Sequence, residues 1–372
     1  MLGKKKIAFV GNTSFSMYNF RMGVMRHFMK DYEVVVIAPE DEYSDFFRNE
    51  GIRYIPIAME TRGMNVISDM NLLRTLYRCY KKEKFDFVFH YTIKPVIYGS
   101  IACKLLSIKC IAVVTGLGYT FMKENLLNKL VKIMYKVALR KVCETWFLNH
   151  DDCNVFISNK IVKESKTFVL NGEGVNMEHF RYMEKQVDDD QFRFLLISRL
   201  IKEKGIREYA EAAKRLKAKY PHMIFSILGK MDTGASDDIS AEEVDEWVKG
   251  GYIDYKGYSM DVCQYIADAD CVVLPSSYRE GIPRCLMEAM SMKKPIIASN
   301  SVGCVELIED GVNGYKIEPR SSDDLCDKME RLYHLSEEER NKMGQAGYDI
   351  VLVKFDEKIT ISIYLNKIKD YI

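Results

Sequence analysis

The sequence predicts an α/β protein built from two doubly wound domains, and three observations carry that expectation. At 372 residues the chain exceeds what one hydrophobic core usually supports, about 250–300 residues. Short β-rich apolar runs alternate with longer amphipathic stretches, twice over. Several of those runs are apolar almost throughout, as parallel strands covered on both faces must be.

In the first half the strand candidates are KIAFVGN (6–12), EVVVIAP (33–39), RYIPI (53–57), FDFVFHY (85–91), CIAVVTG (110–116) and ETWFLN (144–149). Helical spacing fills the gaps at Asn19–Lys30, Asp69–Lys82 and Asn125–Lys141. The second half repeats the scheme with FRFLLIS (192–198), MIFSILGK (223–230), YIDYKGY (252–258), CVVLPSS (271–277) and KPIIASN (294–300). Strand–helix alternation with short connections makes parallel sheets. The acidic stretch EKQVDDDQ (184–191) is the expected linker, which gives domains 1–180 and 181–355, with a last helix at about 356–372 packing back on the first domain. Two such domains put a cleft between the carboxyl ends of two sheets, where open α/β folds bind ligands.

Composition narrows the function. With 48% hydrophobic and 29% charged residues the chain is an ordinary folded protein. No run approaches the roughly 18 apolar residues that span a membrane, and MLGKKKIAFVGN leads into a strand rather than a signal peptide, so a cytoplasmic location is expected. Ten cysteines without CxxC or metal-ligand spacing read as buried reduced thiols. The net charge of +1 hides an asymmetry: residues 1–170 carry +10 and residues 171–372 carry −9. Between Lys94 and Lys141 nine basic residues face the single acid Glu124, so the first half is expected to meet something anionic.

The nucleotide motifs are informative by absence. GxGxxG is missing, since GNTSF has one glycine and TGLGYTF lacks the third, and GxxxxGK[ST] does not occur. DAD (268–270) resembles a metal-binding DxD but reads as a helix end feeding a buried strand. The informative stretch is REGIPRCLMEAM (279–290). Pro283 suits the first helical position. Glu280 then lies in the loop before a helix, and Glu288 lies five residues in, roughly 7.5 Å along the axis at about 1.5 Å per residue. The two carboxylates can grip opposite ends of one elongated ligand, or Glu288 can pair with Arg284 one turn back. FRFLLISRLIKEKGI ends a strand at Ser198, then delivers Arg199, Lys204 and a helix opened by Gly205. Arginine forks onto phosphate and lysine acts as a mobile point charge, so the pair suits a diphosphate without a metal ion.

Together SRLIKEKG, YKGY, ADADCVVLPSSYREGIPRCLMEAM, KPIIAS and VGCVELIEDGVNGYKI resemble the family 4 retaining glycosyltransferases of the GT-B fold, whose E-x7-E signature falls on Glu280 and Glu288. YNFR (18–21), HYTIKPVIYGSIA (90–102) and TGLGYTF (115–121) resemble the bacterial subgroup that extends sugars on undecaprenyl diphosphate, in capsule, O-antigen or N-glycan assembly. The resemblance implies two Rossmann-like domains facing across a cleft. It implies that Arg199 and Lys204 hold the donor diphosphate, Glu288 the ribose hydroxyls, and Glu280 the transferred sugar, with Gly281 and Ile282 nearby. Gly11 and Gly229 would let backbone approach the donor, and Gly257 or Tyr258 would meet its base. His90 would face the reacting centre. Asn19, Arg21, Tyr91, Thr92, Lys94, Gly116, Gly118 and Tyr119 would line the acceptor side. Val302 replaces the usual proline of a PGC turn, so that turn is expected to be less rigid. A glycosidase-like acid and nucleophile pair is denied by the resemblance, which assigns catalysis to Glu280, His90, Arg199 and Lys204 without a metal or cofactor.

The implied partners are a nucleotide sugar, expected as a UDP-sugar, and an undecaprenyl-diphosphate-linked saccharide, with no nucleic acid. ENLLNKLVKIMYKVALRKV (124–142) places Leu126, Leu127, Leu130, Ile133, Met134 and Val137 on one broad face, with Lys129, Lys132, Lys136 and Arg140 between them. This pattern suits an anionic inner-leaflet surface, or a core-facing helix with a solvated basic side. Two rivals share the fold expectation: a UDP-sugar 2-epimerase and a non-catalytic nucleotide-sugar sensor.

Overall fold

The computed structural model describes residues 4–60, 65–117, 121, 126–187, 189–231 and 239–372, the side chains of Leu126 and Leu127 excepted. The chain forms two compact units, Met1–Gly174 with Glu357–Ile372, and Val175–Asp356. The stretch 184–191 lies inside the second unit, where Gln186 N–H donates to Asp268 Oδ1 (2.9 Å).

The first unit holds a parallel sheet of β1 (Lys6–Val10), β2 (Glu33–Ala38), β3 (Arg53–Pro56), β4 (Phe87–Tyr91), β5 (Lys109–Val114), β6 (Glu144–Phe147) and β7 (Thr167–Val169) in the order β3-β2-β1-β4-β5-β6-β7. The second holds β8 (Phe192–Ile197), β9 (Met223–Leu228), β10 (Asp254–Tyr255), β11 (Cys271–Leu274), β12 (Ile296–Ser299) and β13 (Gly314–Ile317) in the order β10-β9-β8-β11-β12-β13. All eleven sequence-predicted strands form. The two that the pattern missed, β7 and β13, are edge strands of three and four residues. β13 opens on Gly314 because a Cβ there would lie 1.8 Å from the Ile296 carbonyl oxygen of β12.

Both faces of each sheet are covered, and the two-residue period sorts side chains between them. In β1, Ala8 and Val10 enter one hydrophobic cluster while Ile7 and Phe9 enter the other. Helices begin where the chain supplies caps. The first runs Ser14–Phe28, five residues earlier than its apolar pattern suggested, because Thr13 Oγ1 accepts the Ser16 N–H (3.1 Å). Asn65 caps Val66–Glu83 in the same way. Leu126–Ala138 is followed by a 3₁₀ turn at Leu139–Lys141. The last helix, Glu357–Lys369, belongs to the first unit and buries Ile361, Tyr364 and Ile368. Tyr364 meets Phe89 (5.2 Å between ring centres) and Trp146 (4.8 Å).

Each sheet reverses its order of winding once, between β1 and β4 and between β8 and β11. At such a switch point adjacent loops leave in opposite directions and open a crevice at the strands' carboxyl ends.

Candidate functional site

In the second unit the β8/β11 switch point gathers the charged groups. Register places Leu196 beside Val273, so the segments after Ile197 and Leu274 emerge side by side. The β8 loop supplies Arg199 and Lys204; the β11 loop supplies Ser276, Tyr278 and Glu280. Lys204 Nζ donates to Glu280 Oε1 at 2.5 Å, the side chains being 14% and 12% exposed. Ser276 Oγ donates to the same oxygen (2.8 Å). Burial works against the Lys204 ammonium, but Glu280's charge and hydrogen bond outweigh it and hold its pKa above the ordinary lysine value. Lys204 therefore stays charged at neutral pH, a fixed cation at the mouth of a sheet.

Close backbone contacts fix these loops. Gly205 takes φ +73, and a Cβ there would lie 2.2 Å from the Pro275 carbonyl oxygen. Gly303 takes φ +86 and would meet the Gly281 and Glu280 carbonyl oxygens at 2.6 and 2.7 Å. The turn bearing Val302 is tied down despite the missing proline: Glu280 N–H donates to Val302 O (3.2 Å) and Ser301 Oγ to Ser276 O (2.8 Å). Gly229 sits against β8, its Cβ position 1.7 Å from Ser198 O, and its N–H donates to Gly257 O (2.7 Å). Gly257 takes φ +68 with no atom of the described residues within 4 Å of its Cβ position, and Tyr258 is exposed.

Pro283 is the cap rather than the first residue of the helix Arg284–Ser291. Glu288 is 9% exposed, and Arg284 Nε donates to its Oε1 at 2.8 Å. Burial raises the Glu288 carboxyl pKa above the ordinary glutamate value, and Arg284 limits the rise. The i, i+4 pair thus exists, and it leaves the second carboxylate oxygen outside that bond. Gly281 is buried and Ile282 half-buried at the start of the same turn. DAD (268–270) is consumed by structure: Asp270 pairs with Lys185 (2.5 Å) and accepts the Arg193 N–H, as a helix end feeding β11 requires.

The first unit treats its residues differently. Gly11, Tyr91, Thr92 and Gly116 lie at the carboxyl ends of β1, β4 and β5, at that sheet's switch point. Of these, Tyr91 is buried and its hydroxyl donates to Tyr364 Oη (3.2 Å). Thr92 takes φ +67, a strained conformation for a β-branched residue. His90, expected at the reacting centre, has 0% exposure. Parity puts it on the same face of β4 as Val88, among Tyr80, Cys103 and Cys110, with Nε2 3.0 Å from Tyr80 Oη. Lys94 is held by Asp69 (2.9 Å). Arg21 is buried, paired with Glu173 and stacked 4.2 Å over the Tyr91 ring. Asn19 Nδ2 donates back to Phe15 O (3.0 Å). Gly118 and Tyr119 lie outside the described residues.

Sequence reasoning missed Ser276, whose hydroxyl shares the Glu280 oxygen with Lys204, and Asp69, which neutralises Lys94. Ser276 stood in the quoted PSSYREG stretch, four residues before Glu280. Asp69 is 25 residues from its partner, and no local signal marked it.

Comparison with known proteins matches the chain to two families: residues 6–145 to "Glycosyl transferase 4-like" and residues 181–350 to "Glycosyl transferases group 1". It is 28% identical over 379 residues to the N,N'-diacetylbacillosaminyl-diphospho-undecaprenol alpha-1,3-N-acetylgalactosaminyltransferase of Campylobacter jejuni, with 97% of each chain covered. It is 27% identical, over 87% of each chain, to the UDP-Gal:alpha-D-GlcNAc-diphosphoundecaprenol alpha-1,3-galactosyltransferase of Escherichia coli. Among solved structures, a glycosyltransferase from Rickettsia africae superposes with TM-score 0.81 at 19% identity, covering 99% of both chains. HepE of Anabaena, solved with UDP, superposes with TM-score 0.78 at 17% identity over 99% of this chain and all of that one. The two parallel-sheet domains are those of the GT-B fold.

Proposed function

The chain belongs to the glycosyltransferases, a 4-like domain followed by a group 1 domain, and on that premise we propose that it moves a hexose or N-acetylhexosamine from a UDP-sugar to an undecaprenyl-diphosphate-linked saccharide in surface polysaccharide assembly. The reaction we propose retains the anomeric configuration and needs no metal. The observation that carries the reading is the half-buried ion pair of Lys204 and Glu280 at the β8/β11 switch point, one turn before the helix that presents Glu288. The acceptor class is supported by the Campylobacter and E. coli relatives, whose names specify undecaprenyl-diphosphate saccharides. The E. coli name also specifies a UDP-linked donor.

In this reading Arg199 and Lys204 hold the donor diphosphate. Their charge stabilises the diphosphate as its bond to the anomeric carbon breaks, the electrostatic role that dominates many such sites. Glu280 accepts hydrogen bonds from the sugar hydroxyls and Glu288 from the ribose, and neither carboxylate attacks carbon. The acceptor hydroxyl bonds to the face that UDP leaves, and its proton passes to a diphosphate oxygen. Gly229, Gly281 and Ile282 contribute backbone to the donor, and Gly257 or Tyr258 meets the base. Thr92 and Gly116 belong to the acceptor side, with Asn19, Gly118 and Tyr119. Arg21 and Tyr91, buried, and Lys94, half-buried, are already partnered and shape that side from beneath. His90 acts as a core positioning residue for β4.

The protein would work at the membrane surface where that lipid resides. No helix among the described residues is long and apolar enough to cross a bilayer. Peripheral attachment is supported by the helix Leu126–Ala138, on which Leu130, Ile133 and Val137 are exposed beside the exposed Lys129 and Lys136.

The test is a screen of radiolabelled UDP- and GDP-sugars, with and without undecaprenyl-diphosphate saccharides, in EDTA. One UDP-sugar should pass its label into the lipid phase despite the chelator. Lys204→Met should lower kcat/KM by about 10²–10³, the usual cost of one such transition-state contact. Sugar isomerised without acceptor would replace this reading with the epimerase, and transfer abolished by EDTA would refute metal independence.

A further inference from the structure

The second unit carries a cluster that the proposed reaction does not use. We propose that His179, Asp261 and Cys263 form a binding site for a thiophilic divalent cation of the zinc class. His179 Nε2 lies 3.6 Å from Cys263 Sγ and 4.0 Å from Asp261 Oδ1, and the three donor atoms all fall within 4.8 Å of one another. A tetrahedral ion with a bond of about 2.3 Å to sulfur and about 2.0 Å to nitrogen and oxygen holds its ligands roughly 3.3–3.6 Å apart. The His179–Cys263 separation of 3.6 Å already suits such a centre, and His179 and Asp261 at 4.0 Å need to close by about 0.7 Å to hold it.

The backbone around them is already set. Asn176 Oδ1 accepts the N–H of Glu178 (3.0 Å) and of His179 (2.9 Å), which fixes the turn that carries the imidazole. Asp261 Oδ1 accepts the Cys263 N–H (2.9 Å) at the opening of the helix Cys263–Asp268, which fixes the other two ligands relative to each other. The thiol is buried, whereas the His179 and Asp261 side chains are 55% and 69% exposed, so an ion can enter from solvent.

The donor set selects the metal. A thiolate and an imidazole disfavour Mg²⁺ and Ca²⁺, which take oxygen ligands, and favour Zn²⁺ or Co²⁺. One thiolate and one carboxylate cancel the charge of a divalent ion, so seating it costs little in net charge. As the sulfur–metal bond forms, the thiol proton passes to solvent. Three protein ligands leave a fourth position for water, the pattern of an open, exchangeable site rather than a closed structural one. The ion would brace the segment Ser259–Cys263, which directly follows Gly257 and Tyr258. Only that consequence for donor binding rests on the glycosyltransferase reading.

The experiment is a Co²⁺ titration of the full chain after chelator treatment and its removal, read by thiolate-to-cobalt charge-transfer absorption in the near ultraviolet. The expected result is a band that saturates at one equivalent, vanishes when Zn²⁺ is added, and is missing in Cys263→Ser. His179→Ala, an exposed position where the fold is safe, should weaken binding by about a hundredfold or more, since even outer-shell partners contribute ten- to a hundredfold. Absence of a band in the intact chain, or a band that persists in Cys263→Ser, overturns the site. Because absorption is read rather than transfer, the outcome is independent of whether the donor reading holds.

Discussion

Glu288 shows how one side chain is tuned by its surroundings. Burial favours its neutral form, so in the folded chain it takes up a proton at a higher pH than the ordinary value of 4.5. Its contribution to stability consequently falls as pH rises from 4.5 through the raised folded value. The carboxylate that the proposed ribose contact requires is lost in the opposite direction, as pH falls through that value. UDP affinity measured by calorimetry should therefore drop on acidification with a midpoint above 4.5. Arg284→Gln should move the midpoint higher, because the arginine opposes the shift; an unmoved or lower midpoint would remove Glu288 from the site. The same scale separates what was legible from what was not. Lys204 and Glu280 could be read because each lies in the loop after a strand, and Glu288 because a fixed spacing ties it to Glu280. The fate of His90 could not be read from its motif. Its place depends on both faces of β4 being covered, so a residue of either parity is buried there.

At the scale of the element, the helix Leu126–Ala138 bears on two readings that its sequence left open. Val131, Tyr135 and Ala138 face the core, and none of them belongs to the apolar face that the sequence pattern marked out. Leu130, Ile133 and Val137 nevertheless point outward beside Lys129 and Lys136, so the outer face is basic and apolar together. That combination suits an interfacial helix. Lys129/Lys132/Lys136→Glu should reduce co-sedimentation with anionic liposomes by at least roughly a hundredfold, at about 1 kcal/mol for each lysine lost, with no change in circular dichroism. Sedimentation unchanged in the triple variant would exclude this helix as the contact. Strand existence was legible almost everywhere because burial on both faces demands continuous apolar runs. β7 and β13 escaped because an edge strand of three or four residues makes too short a run to stand out. Helix starts shifted for a different reason: caps such as Thr13 and Asn65, not apolar spacing, decide where a helix begins.

At the scale of the molecule, the first unit is discontinuous, completed by a helix that the chain returns to it after finishing the second unit. That helix buries Ile361, Tyr364 and Ile368 against Phe89 and Trp146. Truncating one such side chain typically costs about 2–5 kcal/mol, and a whole domain is stable by only about 5–15 kcal/mol. Deleting 357–372 should therefore leave the first unit without fixed packing, seen as loss of near-ultraviolet dichroism from Trp146 and of protection in β1 and β4, while amides of the second unit stay protected. Persistence of first-unit protection would show that the helix is dispensable. The sequence by itself determined the two parallel-sheet domains, the family, and the cation and carboxylates at the carboxyl ends of β8 and β11. Each of these rests on local periodicity or on a motif short enough to be read along the chain. Only the tertiary structure decided that Lys204 and Glu280 share an ion pair, that Asp69 neutralises Lys94, and that His90 lies in the core. It alone brought His179 to Asp261 and Cys263. Such pairings join residues far apart in sequence, and they exist only once strand register and helix packing have fixed which surfaces meet.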